Sequence, residues 1–163
     1  MKKISLFITI FLLLIISGCA STSEEVDFNK TKTITLDALS VEVPEIFELG
    51  KVSNSEYIYY TYLDDGKYNN CTVSLSKSNY PMSSLKEIVQ SEFLDKLDFT
   101  YSEKTINGQK WGVGYLESSA KYSQTIYGTI YNGKEYVVHY DDLGSGDDCA
   151  KVLSIIEKSI KLK

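Results

Sequence analysis

His139 is the single histidine in the chain, so any hydrolytic triad must use it. Ser145 and either Asp141 or Asp142 lie close to it in sequence and supply the other two residue types, a hydroxyl nucleophile and an orienting carboxylate. Nothing around Ser145 resembles the strained turn that presents a nucleophile. His139 therefore reads as a side chain packed on a β-face beside Val137, and no catalytic residue is assigned. The stretch Asp141-Asp142-Leu143-Gly144-Ser145-Gly146-Asp147-Asp148 carries four carboxylates, and Ca²⁺ takes six to eight oxygens. The spacing departs from the EF-hand loop, and Ser145, Asp147 and Asp148 suit the start of a helix, where they meet the positive end of its dipole. No metal ligand is assigned. Cys71 shares its parity with Val73 and Leu75, while Cys149 falls on the apolar stripe of a helix. Two cysteines facing one core are candidates for a disulfide in an oxidising compartment, with two buried thiols as the alternative.

The third cysteine does different chemistry. The chain opens Met1-Lys2-Lys3, continues with an apolar run from Ile4 to Ile16, and ends that run with Ser17-Gly18-Cys19. A charged start, a short apolar core and small residues at the cut define a secretory signal, and the run is too short for the roughly 20 residues that span a bilayer. Ile16-Ser17-Gly18-Cys19 resembles the lipobox of bacterial lipoproteins. The resemblance implies a signal peptide over 1–18 and a covalent diacylglyceryl lipid on Cys19 as the only non-protein group. Two acyl chains, at about 0.8 kcal/mol per buried CH₂, hold a protein stably on a membrane. The expected location is the extracytoplasmic face of the cell membrane. Residues 19–32 are polar, lack apolar periodicity and read as a flexible tether, leaving 33–163 as one domain.

Composition narrows the partners. The chain carries 17 Lys plus Arg against 22 acidic residues, a net charge of −5, and loses two further lysines with the signal peptide. An acidic domain is repelled by nucleic acid and by anionic head groups. Every basic residue is Lys, so no guanidinium fork is present to clamp a phosphate or carboxylate. Thirteen tyrosines point to β-structure, because aromatic rings suit a pleated, half-buried surface. Most of them alternate at strand spacing, which favours sheet filler over a binding cluster.

The elements that would hold these residues follow from periodicity. Strands are expected at Lys32–Leu36 and Leu39–Val43, then at Glu56–Leu63 and Asn70–Lys77 around the turn Asp64-Asp65-Gly66-Lys67. A helix over Leu85–Leu97 is announced by Ser84 and Glu87 in capping-box positions. Asn107-Gly108 joins Phe99–Ile106 to Gln109–Glu117, and Asn132-Gly133 joins Tyr122–Tyr131 to Lys134–Tyr140, both with type I′ turn chemistry. In those registers Trp111, Val113 and Tyr115 oppose Phe99, Tyr101 and Leu116. Likewise Tyr127, Tyr131, Tyr136, Val138 and Tyr140 share one face, with Ile126, Ile130, Val137 and His139 on the other. A last helix spans Asp147–Leu162. A sheet apolar on both sides needs cover on both. The expected class is α+β, an antiparallel β-sheet flanked by α-helices on both faces.

This order of elements resembles the PsbP-like fold, named for an extrinsic photosystem II subunit and shared with a Ran-binding nuclear import factor. The residues that carry the likeness are Leu39-Ser40-Val41-Glu42-Val43-Pro44, Ile106-Asn107-Gly108-Gln109-Lys110-Trp111, and Tyr131-Asn132-Gly133-Lys134-Glu135-Tyr136-Val137-Val138 running into the last helix. All are structural, so the resemblance implies an α/β/α sandwich and a protein-binding habit but no functional residue. The first expectation is a non-catalytic module that docks a protein or surface component through the face bearing Tyr127, Tyr131, Tyr136 and Tyr140. The second is a small-molecule carrier with a groove opened by Gly112 and Gly114, and a cell-envelope hydrolase ranks last.

Overall fold

The computed structural model describes residues 27–50, 57–63, 70–93, 98–119, 122–143 and 147–163. The signal segment, Cys19, the Asp64–Lys67 turn and Ser145 lie outside the described residues. Strands β1 (Thr31–Leu36), β2 (Leu39–Pro44), β3 (Glu48–Leu49), β4 (Tyr57–Leu63) and β5 (Asn70–Ser78) precede helix α1 (Leu85–Glu92). Strands β6 (Thr100–Ile106), β7 (Gln109–Ser119), β8 (Tyr122–Tyr131) and β9 (Lys134–Asp142) follow, then α2 (Asp147–Ser159) and β10 (Lys161–Leu162). They form an antiparallel seven-stranded sheet in the order β3-β4-β5-β9-β8-β7-β6 and a three-stranded sheet in the order β1-β2-β10. Both Asn-Gly turns are two-residue loops with positive φ at each centre, 49° and 81° at Asn107-Gly108 and 51° and 72° at Asn132-Gly133. The strand registers are those expected from the turns.

The large sheet is covered differently on its two faces. Ile88, Val89 and Phe93 at α1 pack on Leu116, Ile126 and Val137, and each of the three is at most 2% exposed. Burying such side chains stabilises the fold by about 1.5–3 kcal/mol apiece. On the other face Trp111, Tyr127, Tyr136, Val138 and Tyr140 meet Val152, Ile156 and Ile160 of the α2 segment together with Leu39, Val41 and Val43 of β2. The cover there is the small sheet and α2 together, not a helical layer alone. Asp37, in the β1–β2 turn with φ 55°, accepts from Lys134 Nζ at 2.8 Å and from the Tyr136 hydroxyl at 3.0 Å, tying the small sheet to β9.

Three boundaries differ from expectation. The first helix ends at Glu92, with Phe93 as its C-cap, and not at Leu97. The domain begins earlier than residue 33, because Phe28 is buried in the core and Lys30 N closes a turn onto Asp27 O at 3.2 Å. The last helix stops at Ser159, and Lys161 and Leu162 instead pair with Ser40 and Leu39. The free edge of β2 offers backbone partners that a further helical turn could not reach. Asn107 explains the stop, since its side-chain amide donates to Lys158 O at 3.2 Å and Ile160 O at 2.9 Å. These are carbonyls a helix end leaves unpaired. Asn107→Gly keeps the left-handed turn but removes this cap, and should cost about 1 kcal/mol. Asn132→Gly, at the equivalent turn, should be close to neutral; equal losses in denaturant melts would refute the capping role.

Cys71, on β5, and Cys149, in the first turn of α2, are joined as a disulfide with Cα atoms 5.7 Å apart and a sequence separation of 78. Closing a loop of that size contributes roughly 4 kcal/mol in the chain-entropy model. Unfolded, unreduced protein should show no reactive thiol at either cysteine. Two reactive thiols besides Cys19 would exclude the bridge.

Candidate functional site

His139 sits on the α1 side of β9, held beside two carboxylates. Its Nε2 lies 3.3 Å from Asp141 Oδ1 and its Nδ1 3.8 Å from Glu92 Oε2, at the last turn of α1. Burial favours the neutral ring, but Asp141 and Glu92 outweigh it and raise the His139 pKa to about 9. Asp141 also receives the Gln124 amide at 2.7 Å, the Thr72 hydroxyl at 3.1 Å and the Tyr122 hydroxyl at 3.3 Å. Burial pushes its carboxyl pKa up, and His139, Gln124 and Thr72 together bring it below the ordinary value. An imidazolium locked between two carboxylates is a poor general base. The network instead ties the end of α1 to β9. Further along the acidic stretch, Asp148 pairs with Lys151 at 3.0 Å. Among the described residues no group of three His, Cys, Asp or Glu converges as a metal site would require.

The face expected to bind through tyrosine is core. Tyr127 and Tyr136 are 1% exposed and Tyr140 is 2% exposed, while Tyr131 is partly buried against the same cluster. Each ring packs with the cluster between the large sheet and its cover, and two of the hydroxyls bond internally: Tyr140 donates to Cys149 O at 2.6 Å and Tyr136 to Asp37. Alternation marked a shared face but could not show that a second sheet lies over it. The groove expected at Gly112 and Gly114 is also filled. A Cβ at Gly112 would lie 3.0 Å from Leu85 Cβ, one at Gly114 2.6 Å from Phe93 Cε2, and one at Gly128 2.6 Å from Ile88 Cγ2. The glycines let α1 lie close on the sheet.

Two surfaces remain that can recognise something. The first is the loop between β5 and α1. Tyr80 is 88% exposed and Met82 39% exposed at its crest. Its backbone is nevertheless held, with Ser78 Oγ accepting from Tyr80 N at 3.0 Å, the buried Glu135 accepting from Met82 N at 3.1 Å, and Glu87 accepting from Ser83 N at 3.1 Å. Burial pushes the Glu135 carboxyl pKa up. The Ser84 side chain accepts from Glu87 N at 3.2 Å, so the expected cap forms, with Glu87 reaching Ser83 one residue earlier. In the sequence only the Tyr80-Pro81-Met82 composition hints at this loop.

The second surface is a cleft of about 600 Å³ where the described chain begins. Phe28, Thr31 and Glu42 line it together with Lys151, Ser154, Ile155 and Lys158 of α2 and with Lys161 beyond the helix. The four α2 positions follow helical spacing and form one face of that helix. Ser159 Oγ accepts from Glu42 N at 2.9 Å, holding helix and strand at the separation that leaves the cleft open.

No family model and no curated protein matches the sequence. Solved structures do. The Ran-binding protein Mog1p of Saccharomyces cerevisiae aligns with a TM-score of 0.56 at 12% identity, covering 83% of this chain and 96% of that one. Cyanobacterial PsbP (CyanoP) of Synechocystis aligns at 0.55 and 12%, covering 91% and 99%. A structure from Bacteroides thetaiotaomicron aligns at 0.52 and 13%, with this chain spanning 82% of itself and 48% of that protein. The chain therefore has the mixed α/β, antiparallel fold that PsbP and Mog1 share.

The His139 pair gives a pH signature. With a folded pKa near 9 against an unfolded value of about 6.5, its stabilisation is complete below about pH 6.5 and fades as pH rises through 9. His139→Gln should cost about 1–3 kcal/mol at pH 6, with the gap narrowing above pH 9. An imidazole resonance titrating near pH 6.5 would refute the clamp.

Proposed function

We propose that this chain is a non-catalytic, protein-docking lipoprotein, held by a diacylglyceryl group on Cys19 to the extracytoplasmic face of a cell membrane. The observation that supports docking is the β5–α1 loop. It presents an exposed aromatic ring and a methionine on a backbone fixed by hydrogen bonds, so little conformational entropy is lost when a partner covers it. The fold neighbours point the same way, one of them being named as a Ran-binding protein. The signal-like start and the lipobox resemblance support the anchor.

A second reading, accessory binding of a small ligand, is favoured by the cleft at α2. The two uses occupy different surfaces and do not compete.

Chemical cross-linking in intact cells tests docking. Tyr80→Ala should abolish capture of a protein that the wild type captures, while leaving the melting temperature unchanged, since exposed substitutions usually stay within about 0.5 kcal/mol. Undiminished capture would overturn the assignment of the loop. Metabolic labelling with an alkynyl fatty acid tests the anchor: the wild type should carry label and Cys19→Ser none, and an unlabelled wild type would remove it.

A further inference from the structure

The cleft at α2 departs in charge from the domain around it. The whole chain has 22 acidic residues and a net charge of −5, yet Lys151, Lys158 and Lys161 gather here around one carboxylate, Glu42. That carboxylate already accepts from Thr31 Oγ1 at 3.2 Å. Lys151 pairs with Asp148 and lies 5.4 Å from the centre of the Phe28 ring. Among the described residues Lys158 and Lys161 make no ion pair. Two lysines, a serine and the apolar Phe28 and Ile155 lining one cleft are the residue types that suit an anion with a short carbon skeleton. Lysines bind phosphate as point charges, without the planar fork that a carboxylate or a nucleotide phosphate often meets. About 600 Å³ is also more room than a bare oxyanion needs.

We propose that this cleft binds a phosphate ester carried on a hydroxyl-rich skeleton, of the glycerophosphate class, with Lys158 and Lys161 holding the phosphate and Ser154 a hydroxyl. This rests on the small-ligand reading above. Two sources present that chemistry, a soluble phosphate ester and the head group of an anionic glycerophospholipid. The domain's first described residue, Asp27, follows Cys19 by eight positions, which reach at most about 30 Å. Head groups of the anchoring membrane are therefore within range of the cleft.

The test uses the full lipidated chain in phosphatidylcholine nanodiscs, titrated calorimetrically with glycerol 3-phosphate and, separately, with glycerol. Saturable binding of the phosphate ester, weakened at least about tenfold by Lys158→Gln with Lys161→Gln and by 0.5 M salt, supports the site. Gln keeps helix propensity at position 158, and an unchanged melting temperature shows that the variant folds. If the soluble ester gives no heat, nanodiscs containing phosphatidylglycerol identify the lipid source when they protect Lys158 and Lys161 from acetylation and phosphatidylcholine discs do not. Equal binding of glycerol and its phosphate would retain a small-ligand site but overturn the phosphate assignment. Binding untouched by the double substitution, or no binding and no protection in any arm, would overturn the proposal.

Discussion

Strands β7, β8 and β9 are apolar on both faces, and a sheet of that kind cannot leave either face in water. The rest of the domain is arranged around that constraint. On one side α1 has only eight residues, yet Ile88, Val89 and the adjoining Phe93 are buried. It reaches such contact because Gly112, Gly114 and Gly128 present no side chains beneath it. Close packing by omission suits a short helix. A larger residue at any of the three would lift the helix and lose dispersion contacts along its length.

The other cover is larger and is held at its edges by specific links. The Cys71–Cys149 bridge fixes the start of α2 to β5, and the Tyr140 hydroxyl bonds the Cys149 carbonyl beside it. Asn107 caps the far end of α2 from the β6–β7 turn. At the β1–β2 turn, Lys134, Tyr136 and Lys77 hold the Asp37 carboxyl down at a pKa of about 2. A carboxylate depressed in this way stabilises the junction above its ordinary pKa of about 4, and that contribution is lost as pH falls toward 2. Apolar burial between the two layers has no preferred direction, so these links set where the small sheet and α2 sit.

What the sequence reveals follows from which physics is local. Asn107-Gly108 and Asn132-Gly133 need positive φ at both centres, and that requirement alone sets the register of four strands. The apolar stripe of α2 and the parity of Cys71 are equally local. The tyrosine face misled because alternation reports which residues point together, not what lies opposite them. Tyr127, Tyr136 and Tyr140 became core when the small sheet closed over them. The end of α2 was illegible for the same reason: Lys161 and Leu162 are helix-compatible, and only the free edge of β2 and the distant Asn107 make them a strand. The cleft joins Phe28, Glu42, Asn107 and Lys158, which no window of sequence brings together.

The same geometry underlies the choice of binding over catalysis in the function we propose. His139, Asp141 and Glu92 satisfy one another, and the buried Glu135 supports a backbone N–H of the exposed loop. A group that must change protonation during a reaction needs a pKa near the working pH and a face open to substrate. His139 has neither, since two carboxylates stabilise its charged form and enclose it. By contrast, Tyr80 and Lys158 stand outward on rigid supports, the one on a hydrogen-bonded loop and the other on a capped helix. Rigid presentation of exposed groups lowers the entropic cost of recognition without asking those groups to react.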